Sequence, residues 1–144
     1  MKKIAMFSVG SGGHVLPAKN IINELIDHGV SIDRFIFITD ERGIQYLSDI
    51  KVKVLVIDVY RSNYGLLGYI FNFYKFIKTI YKTRKILIKE NVSIVLTTGS
   101  YIAPIASLLS YIMKIKLFVQ EQNIYAGLGN KIASFFPGVV FTSY

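Results

Sequence analysis

A glycine-rich segment with one histidine carries the clearest chemical signal in this sequence of 144 residues. Residues 10–14 read Gly-Ser-Gly-Gly-His and lie between an apolar run and a helical pattern. Glycines after a parallel strand let the backbone approach a ligand closely, and the helix that follows offers free N–H groups to an anion. His14 adds a titratable group there, so the segment predicts a phosphate or sugar site. A tight structural turn with a capping histidine is the alternative.

The glycine spacing argues against two common nucleotide-binding loops. Val15 stands where the dinucleotide fingerprint has its third glycine. A Walker loop is excluded because no Gly-Lys-Ser or Gly-Lys-Thr triplet follows. A nucleotide-binding domain that uses NAD is therefore only a weak alternative.

Two later segments place further polar groups after apolar runs. Gly99 and Tyr101 lie in a glycine-containing turn that opens a helix, and Glu121 and Asn123 follow another apolar run. Their amide, hydroxyl and carboxylate groups are suited to hydrogen bonds with a sugar or a pyrophosphate. Hydrogen bonding that merely stabilises the loop is the alternative for Glu121 and Asn123.

Strands and helices alternate along the whole chain. Apolar runs predict strands at 3–9, 34–39, 52–59, 93–98, 115–119 and 139–142. Helical spacing predicts helices at 17–28, 41–48, 65–90, 103–113 and 126–136. Continuous apolar strands between helices indicate an α/β fold, with a Rossmann-like parallel sheet covered by helices on both faces. The chain reads as one domain, 1–144, and because no helix follows the last strand we expect an incomplete N-terminal half of a larger enzyme.

Composition limits the class of protein. Hydrophobic residues make up 52% of the chain, which excludes disorder and supports a core. The absence of cysteine excludes disulfides, thiolate zinc sites and cysteine nucleophiles. Since there are only two histidines, His14 and His28, we expect no metal site and no cofactor. The amino terminus does not resemble a signal peptide, and residues 101–113 are too few for a membrane span, so we expect a cytoplasmic protein.

The predicted helix 65–90 carries most of the positive charge. The chain has 17 Lys and Arg against 9 Asp and Glu, a net charge of +8, which predicts an anionic partner. Five lysines recur at spacings of three and four, on one helix face beside many aromatic residues. This pattern is typical of a helix in an anionic bilayer interface. The predicted membrane contacts are Leu66, Leu67, Phe71, Tyr74, Lys75, Lys78 and Lys82. A sheet-packing helix with solvated lysines is the alternative, and nucleic acid is not expected as the partner.

Three motifs, taken together, resemble a known family. GSGGHVLPA, TGSYIAP and QEQNIYAGLGNKIAS resemble the N-terminal domain of the MurG family of UDP-N-acetylglucosamine transferases, glycosyltransferase family 28. The resemblance implies a GT-B fold, in which two Rossmann-like domains face a cleft. It implies transfer of GlcNAc from UDP-GlcNAc, with inversion, to the muramyl sugar of lipid I in peptidoglycan synthesis. It also implies a peripheral location on the cytoplasmic face of the plasma membrane.

The resemblance also implies roles for individual residues. Ser11, Gly12 and Gly13 would touch the donor, and His14 would deprotonate or orient the acceptor hydroxyl. Asn123 would reach the donor sugar, and the two glycine loops, with Gly99 and Tyr101, would cradle the acceptor pyrophosphate. Ser100 stands where the family's second loop has glycine. Glu121 belongs to the most specific of the three motifs.

The resemblance implies that the donor domain is missing from this sequence and that the chain alone is inactive. The alternative is a non-catalytic membrane-anchoring subunit of a split GT-B glycosyltransferase, which would recruit a separate donor-binding chain.

Overall fold

The computed structural model describes residues 1–58 and 66–142, with side chains for all of these except residues 66–73. Its strands are β1 (Lys3–Phe7), β2 (Phe35–Thr39), β3 (Lys53–Val56), β4 (Val92–Thr97), β5 (Lys116–Glu121) and β6 (Val139–Thr142). Its α-helices are α1 (Gly12–Asp27), α2 (Leu66–Lys89), α3 (Ala103–Met113) and α4 (Leu128–Ala133). Short 3₁₀ turns lie at Ile32–Arg34 and Ile44–Tyr46.

The six strands form one parallel sheet in the order β3-β2-β1-β4-β5-β6. The predicted Rossmann-like α/β fold is therefore confirmed. The strand order reverses between β1 and β4, and open α/β sheets bind ligands beside the carboxyl ends of strands at such a point. Because β1 pairs with both β2 and β4, and β4 with β5, the loops that follow these four strands meet along one edge.

Two apolar cores lie on opposite faces of the sheet. One contains Phe7, Val95 and Leu109, with residues of α2, α3 and α4. The other contains Met6, Phe37 and Ile22 of α1. The strands are buried on both faces at the centre of the sheet, which explains why their sequences are apolar runs without alternation.

One strip of the sheet on the α1 side is less covered. An apolar groove of about 420 Å³ runs beside α1 over β1, β4, β5 and β6. The rings of Phe118 and Phe141 stack in this strip with centroids 6.0 Å apart, and Phe141 is 53% exposed. None of the described helices is both long and apolar enough to cross a bilayer.

Helix boundaries differ from the sequence-based expectation in three places. Helix α1 begins at Gly12, whereas the pattern predicted a start at residue 17. Glycine is a poor helix former, but the first turn needs few intrahelical hydrogen bonds, so Gly12 and Gly13 are tolerated there. The predicted helix 41–48 is reduced to the 3₁₀ turn, and α4 is shorter than predicted at both ends.

Candidate functional site

The loop after β1 is tied to the loop after β2. Gly10 has a φ of +92°, a conformation that favours glycine, and its N–H donates to Asp40 Oδ1 at 2.9 Å. Ser11 then stands at the N-cap of α1 with an exposed side chain. The loop therefore presents backbone and small side chains at the carboxyl edge of the sheet, as the sequence predicted.

A proline links this loop to the loop after β5. Pro17 lies inside α1 and has no N–H to donate to the carbonyl of Gly13, four residues earlier. Gln122 Nε2 donates to that carbonyl instead, at 2.8 Å. The Gly13 carbonyl, to which Pro17 cannot donate, therefore accepts a hydrogen bond from Gln122. This contact holds Gln122 beside His14.

His14 is held in one orientation by Thr98, the residue that follows β4. Its Nδ1 lies 3.1 Å from the carbonyl oxygen of Thr98, and the Thr98 hydroxyl donates to the carbonyl of His14 at 3.0 Å. A carbonyl oxygen can only accept, so the contact with Thr98 places the proton of the neutral ring on Nδ1. Gln122 Nε2, 3.3 Å from the same Nδ1, is itself a donor and gives its hydrogen bond to the Gly13 carbonyl, so Nε2 of His14 is the basic nitrogen. His14 is half-buried, so the ring is positioned by protein on one side and accessible on the other.

The loop after β4 has two consecutive residues with positive φ. Gly99 has a φ of +97° and Ser100 a φ of +65°. Ser100 therefore adopts the left-handed conformation that glycine favours. A Cβ on Gly99 would lie 2.9 Å from Asn130 Nδ2, and a Cβ on Gly129 would lie 2.0 Å from the oxygen of Ser100. Both glycines are needed for the close approach of this loop to α4.

Asp40 connects three loops through a buried carboxylate. Its Oδ1 accepts hydrogen bonds from the N–H groups of Gly10 and Gly43, each at 2.9 Å. Its Oδ2 accepts the hydroxyl of Tyr101 at 2.6 Å. Arg42 Nη2 donates to the same hydroxyl at 2.8 Å. We call Asp40, Arg42 and Tyr101 the clasp, because they join the loops after β1, β2 and β4.

The clasp shifts the pKa values of its members. Burial raises the pKa of Asp40, but hydrogen bonds from Tyr101, Gly10, Gly43 and Arg42 outweigh it and hold this pKa below its usual value. Burial and the hydrogen bond to Asp40 raise the pKa of the Tyr101 hydroxyl. Asp40 is therefore ionised and Tyr101 neutral at neutral pH.

Glu121 organises the loop that follows β5. It is 4% exposed, and its Oε1 accepts hydrogen bonds from the backbone N–H and the side-chain amide of Asn123 at 2.8 and 2.9 Å. Its Oε2 accepts from Gly127 N at 3.1 Å and Asn130 Nδ2 at 2.9 Å. Burial raises the pKa of Glu121, yet these hydrogen bonds hold it below its usual value. The carboxylate fixes the loop and leaves the exposed Asn123 at the rim.

The residues predicted from the three motifs all lie at the carboxyl edge of the sheet. Contacts join His14 to the loops after β4 and β5, and join Tyr101 to Gly10 through the clasp. Asp40 and Arg42 were not predicted from the sequence, and Gln122, which belongs to the third motif, was not named as a site residue. A signal existed for the first two, because polar residues directly follow the apolar strand β2, but a helix was predicted over 41–48.

The structure describes the side chains of only four of the seven residues that were predicted to contact the membrane. The side chains of Leu66, Leu67 and Phe71 lie outside the described residues. Tyr74 is 62% exposed, Lys78 and Lys82 are exposed, and Lys75 is half-buried. These four side chains line a pocket of about 170 Å³ with Asp58 and Thr79.

Fold and site together define a Rossmann-like α/β domain whose candidate ligand site is built from glycine loops at the carboxyl edge of a parallel sheet. The sequence profile of the glycosyltransferase family 28 N-terminal domain matches residues 4–142. The chain belongs to this family.

Individual relatives agree with the family. The chain is 34% identical over 148 residues to a UDP-N-acetylglucosamine–N-acetylmuramyl-(pentapeptide) pyrophosphoryl-undecaprenol N-acetylglucosamine transferase of Rickettsia rickettsii. It is 28% identical over 146 residues to the protein of the same name from Sulfurihydrogenibium. These alignments cover 100% of the chain but only 37% and 41% of the relatives. The chain thus spans about two fifths of the length of these relatives.

Solved structures share the fold at lower identity. The chain is similar to MurG of Acinetobacter baumannii, with a TM-score of 0.83 and 22% identity, over 100% of the chain and 42% of that structure. It is also similar to a UDP-GlcNAc 2-epimerase from Methanocaldococcus jannaschii, with a TM-score of 0.68 and 13% identity, over 99% of the chain and 39% of that structure.

Proposed function

We propose that this chain is the acceptor-binding half of an inverting glycosyltransferase that moves GlcNAc from UDP-GlcNAc to lipid I in peptidoglycan synthesis. The observation that carries the proposal is the convergence of three polar loops on His14, whose Nδ1 is held by the Thr98 carbonyl. The relatives' name, which specifies a transfer of N-acetylglucosamine to a muramyl pyrophosphoryl-undecaprenol, supports the substrate class.

His14 acts as the general base in this proposal. The acceptor hydroxyl gives its proton to Nε2 while its oxygen bonds to the anomeric carbon of GlcNAc. The bond from that carbon to the UDP oxygen breaks, and UDP leaves with the electron pair. Attack from the face opposite to UDP gives inversion. A base within hydrogen-bond reach of the hydroxyl contributes about 10²- to 10⁴-fold to such a step.

The glycine loops hold the two substrates. Backbone around Gly99, with Tyr101, cradles the acceptor pyrophosphate together with the loop after β1. Ser11, Gly12 and Gly13 contact the donor from this side of the cleft, and Asn123 reaches the donor sugar. Glu121 keeps Asn123 in place through the two hydrogen bonds described above.

The donor domain lies on further polypeptide, either in the same chain or in a separate one. Residues 1–144 thus form the acceptor-binding and membrane-associating domain, and on their own they are inactive. The donor domain supplies most of the UDP-GlcNAc site and stabilises the departing diphosphate.

The chain associates with the cytoplasmic face of the plasma membrane through α2. Exposed Lys78 and Lys82 are suited to anionic headgroups. Tyr74 and Tyr81, which are 62% and 56% exposed, supply aromatic surface on the same helix. This contact would bring the membrane-bound acceptor to the loops.

Replacement of His14 tests the proposed chemistry. The enzyme is assayed with its donor half present, in one polypeptide or two, by transfer of labelled GlcNAc to a lipid I analogue. His14→Ala is expected to lower kcat by about 10²- to 10⁴-fold with little change in thermal stability. The matched control is His28→Ala, since His28 is exposed and its Nδ1 also lies near a backbone oxygen, Glu24 O at 2.8 Å. Turnover of His14→Ala close to that of His28→Ala would remove the base from the mechanism.

A further inference from the structure

Arg42 is a basic residue at the rim of the candidate site to which the proposed reaction gives no role. It lies in the loop after β2, and its side chain is 51% exposed. Its Nη2 donates to the Tyr101 hydroxyl at 2.8 Å, and its guanidinium carbon lies 5.8 Å from the centroid of the Tyr101 ring. The guanidinium is therefore fixed in position although it faces solvent.

The guanidinium lies against both glycine loops. A Cβ on Gly10 would be 3.4 Å from Arg42 Nη2, 3.9 Å from the Tyr101 ring and 4.0 Å from Ser100 Oγ. The loop after β1 thus approaches Arg42 through the backbone of Gly10, and the loop after β4 approaches it through the side chains of Tyr101 and Ser100. A ligand between the two loops would lie within reach of the guanidinium.

Asp40 orients the Arg42 side chain but does not accept hydrogen bonds from all of the N–H groups of the guanidinium. Three hydrogen bonds of 2.6–2.9 Å, from Gly10, Gly43 and Tyr101, reach the carboxylate, whereas Arg42 Nε is 3.4 Å from Oδ2. Among the described residues, none accepts a hydrogen bond from Arg42 Nη1. The guanidinium thus keeps free N–H groups for an anion.

We propose that Arg42 contacts the diphosphate of the lipid-linked acceptor, and that Asp40 and Tyr101 are positioning residues that aim it. This inference rests on the proposed function. The planar guanidinium presents paired N–H donors whose geometry matches two phosphate oxygens, which a lysine ammonium does not reproduce. The acceptor diphosphate and the UDP diphosphate share this chemistry. Arg42 is assigned to the acceptor because it contacts Tyr101, whose loop is the one assigned to the acceptor alone.

Calorimetric titration of the chain tests the inference with three probes: inorganic pyrophosphate, farnesyl diphosphate and UDP. At low salt, Arg42→Gln is expected to weaken binding of the first two by about tenfold to a hundredfold. Arg42→Lys is expected to bind the two probes more tightly than Arg42→Gln but less tightly than the wild type, because lysine keeps the positive charge but lacks the paired N–H donors of the guanidinium. UDP, most of whose site lies on the donor domain, is expected to bind this chain weakly and equally in all variants.

Arg34→Gln is the matched control because Arg34 lies just before β2, at the opposite edge of the sheet, where its Nε is 3.4 Å from the Lys2 carbonyl. This variant is expected to bind all probes like the wild type. Wild-type affinity in Arg42→Gln would overturn the role of Arg42 and leave the proposed function standing. A loss confined to UDP would overturn the acceptor assignment. Failure of the wild-type chain to bind either acceptor probe would overturn the diphosphate cradle and the role of Arg42 together.

Discussion

Two buried carboxylates shape the candidate site in a chain with few acidic residues. Asp40 is 6% exposed and Glu121 is 4% exposed, and each accepts several N–H or O–H hydrogen bonds from neighbouring loops. A buried carboxylate is stable only when its oxygens are satisfied in this way. The positions of the loops therefore depend on the charge state of these two side chains.

Replacing Glu121 by Gln is expected to destabilise the protein. The amide would turn an N–H₂ group toward N–H donors from Asn123 or from Gly127 and Asn130. The expected loss in the free energy of unfolding is about 1–3 kcal/mol at pH 7, measured by urea denaturation. Unchanged stability would show that the buried carboxylate does not hold this loop.

The same variant is expected to change how stability depends on pH. The folded pKa of Glu121 is lowered, so its stabilising contribution is present above the unfolded pKa of about 4.3 and is lost as pH falls through the folded value. The gap in unfolding free energy between wild type and Glu121→Gln is expected to narrow below about pH 4. Asp40 contributes in the same direction in both proteins, so only the difference between them is diagnostic.

Gly99 is expected to be more sensitive to a side chain than a glycine of similar conformation. Gly29 has a φ of +89° with no atom within 4 Å of a built Cβ, whereas a Cβ on Gly99 would lie 2.9 Å from Asn130 Nδ2. Gly29→Ala carries backbone strain alone, about 1–2 kcal/mol. Gly99→Ala is expected to cost about 1–3 kcal/mol more, because Asn130 must leave Glu121. Equal melting temperatures of the two variants would contradict the close packing at Gly99.

Helix α2 presents three different faces. Thr79, Thr83 and Leu87 are buried against the sheet. An exposed apolar stripe follows the helix repeat beside the lysines: Tyr74, Ile77, Tyr81 and Ile88. The sequence pattern did not indicate that Thr79 and Thr83, rather than the apolar Ile77 and Tyr81, face the sheet.

Charge reversal on α2 is expected to weaken membrane binding. Lys78→Glu with Lys82→Glu should reduce co-sedimentation with phosphatidylglycerol-containing vesicles and reduce its dependence on salt. The control carries the same charge change at two other exposed lysines, Lys51→Glu with Lys116→Glu. If both double variants sediment alike, net charge rather than the α2 surface governs the interaction.

The sheet order assembles a site from distant parts of the chain. Pairing of β1 with both β2 and β4 brings Ser8 and Thr98 together, with hydroxyl oxygens 2.9 Å apart across 90 residues. On one face of the sheet, α3 packs into the apolar core below the loops that follow β4 and β5. The positions of the loops in the candidate site therefore depend on this packing.

Two substitutions in one helix, α3, are expected to change the free energy of unfolding by different amounts, because one removes a buried side chain and the other an exposed one. Leu109 is fully buried in the core, whereas Ile112, three residues later, is 54% exposed. Leu109→Ala is expected to lower the free energy of unfolding by about 2–5 kcal/mol through lost contacts and a cavity. Ile112→Ala is expected to change it by less than about 0.5 kcal/mol. Similar denaturation midpoints for the two would contradict the assigned burial.

Strand positions and three of the site loops were predictable because their signals are local. Each strand is an apolar run, and glycines or polar residues directly follow β1, β4 and β5. The loop after β2 was not recognised, since Asp40 and Arg42 look like ordinary turn residues until their partners are known. The early start of α1 was also missed, because local helix propensity disfavours Gly12 and Gly13.

Sequence alone determined the alternation of strands and helices, the basic charge and the loops that carry His14, Tyr101 and Asn123, because hydrophobic period and residue type are properties of neighbours along the chain. Tertiary structure alone decided that Asp40 joins three loops, that Gln122 takes the carbonyl left free by Pro17, and that Thr98 orients the His14 ring. Such contacts link residues 30–109 positions apart. They exist only once the strand order has brought the loops to one edge.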